Sequence, residues 1–212
     1  MKPPETLPAR MFLLAFDPQR NRLTARGELG YLLRAAALAE LVLNGHLTNA
    51  GGKACAGAYP GDLDPVLFEV WEQVSQASPR SWRRWVSRGR RGTFAAVRDQ
   101  LVDARVLRLE PARLLGLIPC TRVVLREPHR ARRLGEQVGR AVRGGEAVAR
   151  VDPGIAALAA LASAGQLRVA LGGRDRRRFK DRIGELGTPI EPVATALRRA
   201  IAAQRAAAAS GG

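Results

Sequence analysis

The stretch Arg34–Leu47, RAAALAELVLNGHL, reads as a helix that is apolar on almost every side and yet opens with an arginine. Leu38 and Leu41 follow Arg34 at i+4 and i+7, so the guanidinium stands over the stripe that a core helix buries. Two readings follow. Either the arginine snorkels off the start of a buried helix, or a rigid helix holds a cation where an anion will be met. Asn44-Gly45 supplies the stop, and the helix spans Glu28 to Gly45.

Working outward, ARMFLLAFD reads as a short helix and PQRNRLT as a turn into a short strand. HLTNAGGKACAG places two extended arms around Gly51-Gly52, a hairpin pattern. In DLDPVLFEVWEQVSQAS, Leu63, Val66, Leu67, Val70, Trp71 and Val74 share one helical face, with Asp62 or Asp64 as cap. Ser78 before Pro79 predicts the cap and first residue of a helix through SWRRWVSRG. A further helix is expected from Thr93 to about Ala104, then a strand, then a second extended pair in RLLGLIPCTRVVL that Pro119 breaks. Helices are expected over 128–143, 153–165, 166–171, 174–186 and 190–208. The fold class is therefore mostly α: a single globular multi-helix domain with small β-hairpins, one of them a protruding apolar hairpin. The domain is expected over residues 7–205, between a flexible 1–6 and a flexible 206–212.

The chain has 212 residues, enough for a real core, and a formal net charge of +16. Its core must be built mostly from Leu, Val and Ala, because aromatics make up only 5%. GC-rich coding explains the arginine excess as well as function does, but the charge acts on partners whatever its origin, and those partners are acidic. Cys55 and Cys120 have no CxxC spacing, and with His46 and His129 they make no zinc pattern; free thiols are the expected state. There is no Gly-x-Ser-x-Gly elbow, no GxxxxGK[ST] loop and no carboxylate pair at a useful spacing. The residues point to a protein that is not an enzyme and needs no cofactor or metal. The longest apolar run, GIAALAALASAG, is too short to span a bilayer, and the N-terminus does not read as a signal peptide, so any membrane contact is expected to be peripheral, on the cytoplasmic face.

What remains is a basic surface. Arg80, Arg83, Arg84, Arg88, Arg90 and Arg91 crowd one stretch with Trp82 and Trp85 between them. Guanidinium donors fit phosphate oxygens in pairs, although several of these arginines simply solvate a helix. The helix at 93–104 followed by a hairpin has the order of a winged-helix nucleic-acid binder, the runner-up reading. Asp99 and Asp103 on that helix would repel a DNA backbone, and the hairpin centre LLGLIP is apolar where a wing should be basic. An apolar tip beside arginines suits an anionic bilayer better.

The ordered set LLAFDPQRNRLT, LLRAAALAELVLNGHLT, SPRSWRRWV, LVDARVLRLE, LLGLIPCTRVVL and DPGIAALAALASAGQLRVALGGRDRRRFKDRIGEL resembles the Golgi phosphoprotein 3 family over roughly residues 7 to 205. The resemblance implies a mostly helical domain that docks peripherally on membranes. Its Golgi members bind the phosphatidylinositol 4-phosphate headgroup in a basic pocket, dip a hydrophobic hairpin into the bilayer and gather cytosolic tails of glycosyltransferases. Carried over by residue, the pocket arginines fall on Arg34 and Arg91, with Arg90 or Arg98 as a substitute for a third that falls on Phe94. The inserting hairpin tip falls on Leu114, Leu115, Leu117 and Ile118. No aromatic stands near Thr24–Arg26, where the pocket tryptophan would lie. The expected partners are anionic membrane lipids. Cytosolic protein tails, acidic ones included, and self-association stay open, and the residues speak against nucleic acid.

Overall fold

A computed structural model, which describes residues 5–59, 61–114 and 118–210, places the helix quoted above at the centre of the molecule. Helix α1 (Leu7–Leu14) starts at Thr6, whose Oγ accepts from the Ala9 amide, and Pro8 stands in its first turn. Strands β1 (Phe16–Asp17) and β2 (Arg22–Leu23) form a small antiparallel pair that leads into α2 (Leu29–Leu43). β3 (Leu47–Ala50) and β4 (Lys53–Ala56) make the hairpin at Gly51-Gly52, both glycines having positive φ. α3 (Pro65–Ser75) follows, and its cap is Asp64, which accepts from the Val66 amide.

Next, Ser78-Pro79 does not start a helix. Arg80–Ser81 form β5, paired with β4, and α4 (Trp82–Ser87) begins only after Ser81. Backbone pairing to an open strand edge outcompeted a local cap. α5 (Arg90–Asp103) starts three residues earlier than the sequence pattern suggests.

β6 (Leu107–Leu114) and β7 (Ile118–Leu125) form a long hairpin in register from Leu107↔Leu125 to Leu114↔Ile118. Pro119 does not break it. Pro111 and Pro119 stand in pairs of the same class, two steps apart, and proline fits the class whose N–H groups point away from the partner strand. Asn21 holds the base of this hairpin: its Nδ2 donates to the Leu125 carbonyl and its Oδ1 accepts from the Leu125 amide, each at 3.2 Å.

The rest is helical: α6 (Pro128–Arg143), α7 (Pro153–Ala164), α8 (Gly173–Arg178), α9 (Lys180–Gly187) and α10 (Glu191–Ser210). Residues 166–171 are turns rather than a helix, with Gln166 at φ 54°, and the segment expected as 174–186 is interrupted at Phe179. No helix among the described residues is long and apolar enough to cross a membrane.

The core explains why α2 is central. It packs against α1, α3, α4, α5, α7 and α10, and its residues are buried almost all the way round. A helix without a polar face is stable in water only when its neighbours cover every side. Ala35, Ala36, Ala37 and Ala39 are fully buried and let those neighbours approach. Where α7 ends against α2, a Cβ on Gly165 would lie 2.5 Å from Leu32 Cδ2, so any larger residue there would push the buried Leu32 side chain aside.

Candidate functional site

Arg34 faces the junction where α3, α4 and α5 meet over α2. It is completely buried. Its Nε donates to the Trp85 carbonyl (3.2 Å), Nη1 to Thr93 Oγ (3.4 Å) and Nη2 to Gln73 Oε1 (2.8 Å). Each bond has a local reason. Trp85 lies in the last turn of α4, where carbonyls have no intrahelical partner. Thr93, Val97 and Leu101, spaced i, i+4, i+8, form the buried stripe of α5. Gln73 stands seven residues after Val66 and three after Val70, at the edge of the apolar face of α3.

All three acceptors are neutral. The nearest formal charges lie further out. Burial lowers the guanidinium to about 10, Glu69 pulls it back up, and Arg88 pushes it down. At neutral pH the group keeps its charge. It is thus a buried cation, hydrogen-bonded but not neutralised by a bonded carboxylate.

The guanidinium lies one residue below the surface. A Cβ on exposed Gly89 would stand 3.3 Å from Gln73 Oε1 and 3.4 Å from Arg34 Nη1. Gly89 sits at φ 70° and caps α5 without a side-chain hydrogen bond, and the first turn of α5 contains no acidic residue. A helix end of this kind presents backbone amides that the helix itself cannot satisfy.

The other arginines divide. Arg90 is half-buried, its Nη1 bonded to the Ser87 carbonyl (3.1 Å) and its guanidinium 4.6 Å over the Tyr31 ring. This close α2–α5 crossing needs Gly30, where a Cβ would lie 2.9 Å from the Arg90 carbonyl oxygen. Tyr31 and Ser87 also line an open groove of about 510 Å³ together with Arg83 and Arg84. Arg91 is exposed and makes no hydrogen bond or ion pair among the described residues. Since Thr93 points at Arg34 and a helix turns about 100° per residue, Arg91 leaves α5 on nearly the opposite side. Arg90 is about 60° from Thr93 and so nearer its face. Arg88, exposed and 5.9 Å from the Trp85 ring centroid, is the arginine whose charge reaches Arg34.

The structure therefore buries Arg34, lays Arg90 on the Tyr31 ring, sets Arg91 on a different side of α5, and adds Arg88, Gln73 and Thr93 around Arg34, which the sequence pattern does not single out. Phe94, at the position of the missing arginine, stacks on Phe12 at 5.7 Å and is half-buried against the core. For the hairpin, Leu114 and Ile118 are the last paired residues of the ladder, while Leu115 and Leu117 lie outside the described residues. Cys55 is a free thiol. Among the described residues no group of three or more His, Cys, Asp or Glu could hold a metal ion.

No curated protein matches the chain. A family profile described as Golgi phosphoprotein 3 (GPP34) matches residues 7–204, which takes in α1, the buried-arginine junction, the long hairpin and all but the end of α10. With nearly its whole length matched and a mostly helical fold built around the landmark helix at Arg34, the chain belongs to the Golgi phosphoprotein 3 family.

Proposed function

We propose that the protein binds anionic lipid headgroups on a membrane face, of the phosphatidylinositol 4-phosphate type, at the surface around Gly89. Arg34 supplies a fixed charge from below, Arg88 and Arg90 supply donors at the rim, Arg91 adds attraction to the anionic surface from the other side of α5, and the hairpin of β6 and β7 adds apolar contact. The observation that carries this reading is the buried Arg34 guanidinium, bonded to three neutral acceptors and lying directly under an exposed glycine at the start of a long helix. A cation desolvated without a bonded counter-ion attracts an incoming anion more strongly than a solvated one. Family membership points the same way.

Magnitudes favour a reversible complex. Each arginine close to an anionic surface contributes about 1 kcal/mol. Each buried methylene of the hairpin tip adds about 0.8 kcal/mol. Neither contribution alone anchors the protein; the two act together.

Vesicle flotation tests this. The protein should float with phosphatidylcholine vesicles carrying phosphatidylinositol 4-phosphate and not with phosphatidylcholine alone. The double variant Arg88→Ala/Arg91→Ala changes exposed side chains only and should weaken binding by roughly tenfold or more. Leu117→Asp should weaken it through the hairpin. Equal flotation on both vesicle types, or duplex DNA binding that exceeds vesicle binding and falls steeply with salt, would refute the reading.

A further inference from the structure

Around Arg34 the hydrogen bonds form a chain that runs from solvent to core. Exposed Glu69 accepts from Gln73 Nε2 at 3.0 Å, and half-buried Gln73 turns its Oε1 to Arg34 Nη2 at 2.8 Å. Glu69 and Gln73 are i, i+4 on α3 and so lie on one face. The carboxylate fixes which way the amide points: with Nε2 held by Glu69, only the oxygen can face the guanidinium. One amide thus carries the influence of an external carboxylate onto a buried cation.

We infer that Glu69 and Gln73 form an internal competitor for the anion at this site, and that they limit the affinity of Arg34 for a headgroup. The inference rests on the headgroup reading above and assigns its regulation. A phosphate oxygen that takes the Nη2 donor must first displace Gln73 Oε1, and it then comes close to the Glu69 carboxylate. Binding at Arg34 is an exchange of acceptors rather than an addition. Its strength is the difference between a phosphate and the Gln73–Glu69 pair, so changes to that pair move affinity without any change in the ligand's own contacts. The Gly89 position fits the same exchange, because its missing Cβ leaves room beside both Gln73 Oε1 and Arg34 Nη1.

The experiment uses the full chain and phosphatidylcholine vesicles carrying phosphatidylinositol 4-phosphate, with thermal unfolding followed in parallel. Gln73→Glu puts a carboxylate onto Arg34 and should lower vesicle affinity about tenfold while leaving the melting temperature equal to or above that of the wild type. Glu69→Gln weakens the competitor and should raise affinity about threefold. The control is Glu185→Gln on α9, an exposed residue with the same change in charge, which should raise affinity less. If the wild type binds but Gln73→Glu binds equally well, or the two Glu→Gln variants shift affinity equally, the competitor is overturned and the headgroup reading stands. If the wild type does not bind these vesicles, both fall together.

Discussion

Helices α2 and α7 are built from similar material and differ in one fully buried charge. Both are rich in Ala and Leu, and both are buried on nearly every side. α7 is apolar throughout its buried residues, from Ile155 to Ala164, and α2 carries Arg34 among its own. The fold can therefore build a buried helix without a cation. What α2 has and α7 lacks is a set of acceptors prepared by three neighbouring helices: a free carbonyl at the end of α4, a threonine hydroxyl on α5 and an amide oxygen on α3. The charge is disfavoured by burial, as its lowered pKa records, and it is tolerated because those acceptors are in place. Helix packing does not require this arrangement. A binding site that needs a cation fixed at one point does.

The most severe way to break the comparison is to give α7 the same cation without the acceptors. Ala159→Arg, at a fully buried position, places a charge where nothing bonds it. It should destabilise the protein by about 4 kcal/mol or more, which removes most of the stability of an ordinary domain. Urea denaturation monitored by circular dichroism measures this, and a variant as stable as the wild type would show that the acceptors around Arg34 are unimportant.

A smaller effect sharpens the comparison within α2 itself. Glu40, six residues beyond Arg34 on the same helix, is half-buried and accepts from the Leu7 amide at 2.7 Å. Burial raises its pKa, the Leu7 hydrogen bond opposes that, Asp64 raises it further and Arg10 lowers it. The folded state therefore holds this proton more firmly than the unfolded chain. Between the ordinary carboxylate pKa and the raised value, the folded state binds more protons, so stability falls as pH rises through that window. Gln at this position can still accept from Leu7, and Glu40→Gln should flatten the decline. Denaturation midpoints measured from the ordinary carboxylate pKa upward would check it. An unchanged slope would remove Glu40 as its source.

Much of this was legible in the sequence where the signal is local. The α2 pattern, the Gly51-Gly52 hairpin, an aspartate cap on α3 (Asp62 or Asp64 by sequence, Asp64 in the fold) and the extent of α6 are set by periodicity and by residues next to one another in the chain. Errors arose where a distant partner decided the outcome. Ser78-Pro79 had the chemistry of a helix start, but the open edge of β4 took Arg80 and Ser81 into a sheet. Pro119 looked like a break until its register with Arg113 made its missing N–H harmless.

The site divides in the same way. Arg34 stood out because a permanent charge interrupts an apolar pattern. Gln73 and Thr93 did not, since each becomes informative only when α3 and α5 are known to meet over α2. Their trace in the sequence is faint: a polar residue at a spacing that should be buried. Arg88 was one of six crowded arginines, and only the fold distinguishes it by proximity to Arg34.

The central claim is that Arg34 stays in the core to attract an anion, and one pair of measurements on Arg34→Met tests it most directly. Methionine fills similar space without the charge; it leaves three neutral acceptors without their donor, at about 1–3 kcal/mol for each that stays dry, and removing the buried charge offsets part of that cost. The account predicts a cooperative melt and native circular dichroism together with at least about a tenfold loss of binding to phosphatidylinositol 4-phosphate vesicles. A folded Arg34→Met that floats with those vesicles as well as the wild type would contradict it.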